Sequence, residues 1–382
     1  MKYFGAGLIS ALAVLMAACS GEDAAIENEL KTMTLQEKVG AMFIVRPEAL
    51  DTDIYYDSPS VLKSYDLHEV NYRMKETARV YPMGGIILFG HNIKDEKQLE
   101  TFVTDLKALP GNPLICIDEE GGRVTRIAAN PAFSVPKVSS MTSLAASGRT
   151  KAVSEAAASI GTYLAKYGFD IDLAPVADVN TNPRNVVIGD RAFSDNPAEA
   201  AEMVKSYIKG MQKTGVLCCI KHFPGHGDTQ ADSHFGYAMS RKNWDEIKEC
   251  EMIPFKAGIQ AGVPLVMTAH VSLPNVTGSN VPSTLSSMIL QDKLRGELGF
   301  KGVIITDAME MGAILRQYSI EEASIMAIKA GVDILLCVRE YPRVFDAVVA
   351  AVRRGEIKES RIDESVRRIL KLRHQSQSMK QN

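Results

Sequence analysis

The chain has 382 residues, 46% of them hydrophobic, so it carries enough apolar material for a large core and is not a disordered protein. Its 43 basic and 46 acidic residues leave a formal net charge of −3. That balance offers no field to draw a polyanion, and nucleic acid is excluded as an expected partner.

At the amino terminus Lys2 supplies a positive start, residues 5–16 are apolar, and Ala17, Ala18 and Cys19 are small, which is the pattern of an export signal. The apolar stretch falls short of the ~20 residues that a membrane-spanning helix needs. Leu15-Met16-Ala17-Ala18-Cys19 resembles a bacterial lipobox, with Met16 where leucine is usual. The resemblance implies a lipoprotein-type signal over residues 1–19, a lipid on Cys19 as the only membrane contact, and a place in the cell envelope. An ordinary cleaved signal is the alternative. Residues 20–31 read as a polar tether, and residues 32–382 as one folded domain, expected to be a monomer. Cys116, Cys218, Cys219 and Cys337 lie in strand-like apolar runs and Cys250 in a helix-like one. An odd number in such settings predicts buried small hydrophobes and no disulfide framework.

Thr34-Leu35-Gln36-Glu37 has the form of a capping box, predicting a helix that leads into a first strand near Met42. Residues 47–83 show little period and read as an irregular insertion with a helical middle. Apolar runs then recur at 85–88, 114–118, 171–179, 216–221, 265–270, 303–307 and 334–338, making eight with the one near Met42. Helix starts are signalled by Asn196 before Pro197, Asn243 with Glu246, Ser319 with Glu322 and Ser360 with Asp363, and helix stops by Gly215, Gly262 and Gly331. Eight strands alternating with helices predict the α/β class and a single (β/α)8 TIM-type barrel. An open doubly wound sheet is the rival, but no GxGxxG follows the first strand, and no repeat or linker marks a second domain.

In such a barrel the site is built at the carboxyl ends of the strands. The residues there are Asp118 with Glu119 and Glu120, Asp178, Lys221 with His222, His270, and Asp307. Each has a structural explanation of its own, as a helix cap, a satisfied core histidine or half of an ion pair. Five strands of eight ending in ionisable groups point instead to a polar substrate, because burying so many charges is destabilising.

The densest stretch is VLCCIKHFPGHGDTQADSH, residues 216–234, a buried strand followed by a loop with three histidines and two aspartates. His222, His226, Asp232 and His234 have the composition of a metal site. Pro224 and Gly225, however, keep His222 and His226 from sharing a helix face, so no metal is expected. Asp232 and His234, two apart in an extended loop, put their side chains on one side, so the carboxylate can hold one imidazole nitrogen and free the other as a general acid/base. Asp307 is then a nucleophile or an electrostatic stabiliser.

KHFPGHGDTQADSH, IDEEGGRVTRI, GDRAFS and GFKGVIITDAMEMGAI closely resemble the motifs of glycoside hydrolase family 3, in particular its β-N-acetylglucosaminidase (β-hexosaminidase) branch, over residues 33–372. The DSH ending separates that branch from the β-glucosidases. The resemblance implies retaining removal of terminal β-linked GlcNAc from peptidoglycan fragments or related glycans. Asp307 would be the nucleophile and His234, oriented by Asp232, the acid/base. Asp118, Arg126, Arg191, Lys221 and His222 would grip the sugar hydroxyls and acetamido group, with no cofactor. A histidine titrates near neutrality without the large pKa shift that a carboxylic acid needs for this role. It also removes a negative charge beside the incoming acceptor, which leaves phosphorolysis as an alternative. Gly225, Gly227 and Gly236 permit a loop that moves onto substrate, and His226 between two of them has the bearing of loop shape. A non-catalytic glycan-binding lipoprotein is the rival from another class, weakened because binding alone needs no nucleophile.

Overall fold

The computed structural model describes residues 21, 23–51, 66–146, 150–231 and 238–381. Eight parallel strands run in chain order around a barrel: β1 Phe43–Val45, β2 Gly85–Leu88, β3 Leu114–Ile117, β4 Ile171–Asp172, β5 Leu217–Phe223, β6 Leu265–Thr268, β7 Val303–Thr306 and β8 Leu335–Leu336. The last strand pairs with the first, Phe43 opposite Leu335. A parallel bridge between Ile305 and Ile334 joins β7 to the approach of β8 and completes the circuit. Strands β1 to β3, β6 and β7 are buried along their whole length, as expected of a parallel sheet covered by helices on one side and filled on the other. The expected barrel is therefore what the chain forms, and the open sheet is not.

Most strands are shorter than the apolar runs that predict them. The run 171–179 is strand only at Ile171–Asp172, and the run 303–307 stops at Thr306. The polar residues at the ends leave the ladder and enter the loops above it. Helix Leu35–Ala41 starts at the predicted capping box, and Asn196, Asn243 and Ser319 accept first-turn N–H groups as expected. The last helix begins at Glu359, so Ser360 lies in its first turn and does not cap it. The insertion holds a helix at Tyr72–Val80, near its end and not its middle; residues 52–65 lie outside the described ones.

The tether reading of 20–31 is corrected. Residues 23–32 are helical, and Ile26 and Leu30, four apart and so on one face, are 2% and 4% exposed. Glu27 and Glu29 meet Arg367 and His374 on the closing helix Glu359–Gln381. A polar composition concealed two apolar anchors. The signal and Cys19, residues 1–19, lie outside the described residues.

Two buried aspartates lock that closing helix beneath the barrel. Asp333 accepts from Ser365 and Arg368, and also from Arg295 and the Ile304 N–H. Asp170 accepts from Ser376 and Lys380, and from Lys107 and the Ile115 N–H. Cys116, Cys218, Cys219 and Cys337 are buried, Cys250 is half-buried, and all five are free thiols.

Candidate active site

A cavity of about 290 Å³ opens at the carboxyl ends of the strands. Its walls carry Asp118 above β3, Arg126, Arg191, Lys221 and His222 from the end of β5, and Asp307 above β7. All six candidates within the described residues thus meet in one place. They are up to 189 residues apart in sequence, and barrel closure alone brings them together. Asp232 and His234 lie outside the described residues.

The polar wall is an ion-pair network. Glu120, 2% exposed, takes two contacts of 2.8 Å from the Arg191 guanidinium and one of 2.6 Å from Lys221 Nζ. Lys221 also donates to Asp118 Oδ1 at 2.7 Å, and Arg126 Nη2 lies 3.6 Å from Asp118 Oδ2. Burial drives the Glu120 carboxyl up, but Lys221 and Arg191 outweigh it and hold it down to about 2. Burial likewise works against the Lys221 ammonium, and Asp118 with Glu120 raises it above the usual lysine range. Two carboxylates thus hold two cations in place, with the Glu120 and Lys221 side chains each 2% exposed, which fixes donors before any ligand arrives.

His222 Nδ1 lies 2.7 Å from Asp178 Oδ2, and its Nε2 lies 3.3 Å from Arg191 Nη2. A guanidinium only donates, so the imidazole hydrogen sits on Nδ1 toward Asp178. Asp178 also accepts the His226 N–H at 2.6 Å. Gly227 is needed directly after it, because a Cβ there would lie 1.8 Å from the Val179 carbonyl oxygen. His226 itself lines the cavity, and its Nδ1 lies 2.8 Å from Thr229 Oγ1. It therefore borders the cavity while bonding within its own loop.

Asp307 is half-buried, with Oδ1 accepting the Ala308 N–H at 2.7 Å. Burial by itself would raise its carboxyl. The imidazoles of His222 and His270, the Ala308 N–H and Lys221 together hold it below the usual carboxylate range. His270 turns out to be a satisfied core histidine: Nε2 donates to the Ala308 carbonyl at 3.0 Å and Nδ1 faces Thr284 Oγ1 at 2.9 Å. It steadies the turn that presents Asp307. Glu119 does not reach the mouth either. Its carboxylate accepts the N–H groups of Arg126, Ile127 and Ala128 and the Tyr163 hydroxyl, and so folds the loop that carries Arg126.

Sequence reasoning places Glu120 and Asp178 at strand ends without giving either its partner. It passes over Phe89, which lines the cavity under the guanidinium of Arg46 at 4.6 Å from ring centre. A phenylalanine and an arginine 43 residues apart leave no local signal of their stacking.

Residues 34–372 match the glycosyl hydrolase family 3 N terminal domain. This chain belongs to that family. The family 3 chain is 32% identical over 326 residues to Beta-hexosaminidase A of Pseudoalteromonas piscicida, covering 78% of itself and 54% of that protein. It is 33% identical over 274 residues to a Beta-hexosaminidase of Stenotrophomonas maltophilia, covering 71% and 80%. Among solved structures it superposes with TM-score 0.82 at 34% identity on a family 3 beta-N-acetylglucosaminidase from a Paenibacillus species, covering 91% of itself and 63% of that chain. On LpqI of Mycobacterium tuberculosis the TM-score is 0.75 at 27% identity, with 89% and 94% covered. The chain thus spans little more than half of some relatives and most of others.

Proposed function

We propose that this protein is a retaining exo-β-N-acetylglucosaminidase acting on terminal β-linked GlcNAc. The observation that carries the reading is the convergence of Asp307 with Asp118, Arg126, Arg191, Lys221 and His222 on one cavity in a chain of family 3. The volume, about 290 Å³, is at the small end of the roughly 300–1,000 Å³ usual for ligand pockets and suits a single sugar ring. The names of the relatives, beta-hexosaminidase and beta-N-acetylglucosaminidase, agree with it.

In the proposed reaction an Asp307 oxygen attacks the anomeric carbon while the glycosidic C–O bond breaks, and His234 gives its proton to the departing oxygen. Water then attacks the same carbon, the ester bond to Asp307 breaks, and His234 takes the proton of that water. A carboxylate held ionised by its surroundings is ready for the first step. Lys221 and Arg191 bind hydroxyls without reorganising, because Glu120 already holds them, and Lys221 in turn holds Asp118.

Release of the aryl group from an aryl β-N-acetylglucosaminide by the unaltered protein, and its loss in Asp307→Ala, tests the assignment. Activity that survives that substitution overturns it. The lipobox-like residues 15–19 support an envelope setting, which in turn favours peptidoglycan fragments or related glycans with terminal β-GlcNAc as natural substrates. Labelled palmitate that is incorporated by the unaltered chain and not by Cys19→Ala supports lipid attachment; equal labelling refutes it.

A further inference from the structure

Six large apolar side chains among the described residues are exposed: Tyr72, Val80, Val186, Val187, Met288 and Met311. Single exposed hydrophobes are ordinary. Here, however, Val187 and Met311, 53% and 41% exposed, line the same cavity as Asp307, and Val186, 79% exposed, precedes Val187 in the chain. They come from opposite parts of the sequence, the loop after β4 and the turn after β7.

The valine turn is held firmly. Arg123 Nη2 lies 2.9, 2.8 and 3.0 Å from the carbonyl oxygens of Val186, Val187 and Ile188, and Arg123 Nε donates to Asp190. Asn185 Oδ1 accepts the N–H groups of Val187 and Ile188, each at 3.1 Å. Arg191 Nη1 donates to the Val187 carbonyl at 3.1 Å, which ties the turn to a cavity residue. The backbone carbonyls of the turn are thus taken up by these partners, while Val186 and Val187 stay 79% and 53% exposed. Ordering a turn in that way is unfavourable in the free protein, since it fixes backbone without burying the side chains it presents. A ligand that covers them recovers the difference.

The cavity suits one ring, so what lies beyond the scissile bond must pass over its rim. We infer that Val187 and Met311, with Val186 next to them at the rim, form an apolar shelf that receives the leaving group, a second ring with an apolar face such as a β-linked N-acetylhexosamine or an aryl group. The shelf rests on the glycosidase reading above and adds to it how the enzyme selects among glycosides that share the same GlcNAc. Two valines give a flat, stiff surface and methionine an adaptable edge, so the shelf accepts rings of more than one kind and favours any ring over a small polar leaving group.

The test uses three substrates with the same sugar: β-GlcNAc fluoride, a 4-methylumbelliferyl β-GlcNAc and di-N-acetylchitobiose. Fluoride is too small to touch the shelf. In Val187→Ser and in Met311→Ala, kcat/KM on each of the two ring-bearing substrates, taken as a ratio to the fluoride, falls about five-fold, as expected for the apolar area removed. In Val187→Leu the same ratio is kept or rises, which guards against a misfolded serine variant. Ratios that stay constant in the serine and alanine variants overturn the shelf alone. If the unaltered protein turns over none of the three substrates, the glycosidase reading falls and the shelf with it.

Discussion

Glu120 and Arg191 face each other through two contacts of 2.8 Å, Nε to Oε2 and Nη2 to Oε1, across 71 residues of sequence. This bidentate pair, with Lys221 on the same carboxylate, sets the position of two of the cations that line the cavity. Glu120 is thus the centre of the polar wall although nothing in the proposed reaction passes through it.

Glu120→Gln keeps the shape and removes the charge. The Glu120 carboxyl sits at about 2 in the folded protein against an ordinary 4.5. Its contribution to stability is therefore complete above about pH 4.5 and is lost as pH falls toward 2. Acid unfolding followed by circular dichroism should show a shallower decline between those values in Glu120→Gln than in the unaltered protein. On an aryl β-N-acetylglucosaminide the same variant should raise KM, because Arg191 and Lys221 are no longer held. An unchanged KM would show that the pair does not position the sugar.

Asp307→Asn should lower kcat on that substrate by on the order of 10³-fold or more with an unaltered melting temperature, the pattern of a lost reacting group. Its carboxyl lies below the usual carboxylate range, so Asp307 stays ionised at every pH above about 4. The acid limb of kcat/KM between pH 5 and 7 should then belong to another group. An acid limb in that range that moves when Asp307 is replaced by Glu would refute this.

Asp178→Asn breaks a charge-assisted contact to His222 and weakens the one to the His226 N–H. A contact of that kind is worth about 1.5–3 kcal/mol, so kcat/KM should fall roughly 10- to 100-fold. Because Asp178 acts by orienting His222, a melting temperature within a few degrees of the unaltered value should accompany the loss.

Asp333→Ala leaves Arg295, Arg361 and Arg368 facing one another without their shared carboxylate. Removing one partner from a buried charge cluster is destabilising by about 3–5 kcal/mol. Denaturant unfolding should show a loss of that order, with Asp333→Asn losing less because its one amide oxygen still accepts the Ile304 N–H while its NH2 can donate to the Ser365 hydroxyl oxygen. Equal stability of Asp333→Ala and the unaltered protein would mean that the Asp333 cluster contributes nothing to holding the closing helix.

The sequence by itself determined the barrel, because eight apolar runs separated by capped amphipathic segments carry their periodicity locally. It also located the polar residues at the strand ends, since Asp118, Lys221, His222 and Asp307 each follow an apolar run directly. Local pattern misled at residues 23–32, where acidic residues outnumber the two anchors Ile26 and Leu30. It was silent on which strand-end acid serves and which merely supports. Glu119 and Asp307 follow similar runs, yet Glu119 is spent on three backbone N–H groups while Asp307 faces the cavity. Only the tertiary structure decided that difference: the loop after β3 folds back to bring the N–H groups of Arg126, Ile127 and Ala128 onto Glu119, with the Tyr163 hydroxyl from a later helix, whereas Asp307 is left facing Asp118, Lys221 and His222 across the cavity. Neither the fold of that loop nor the closure of the barrel is written in the residues beside each acid.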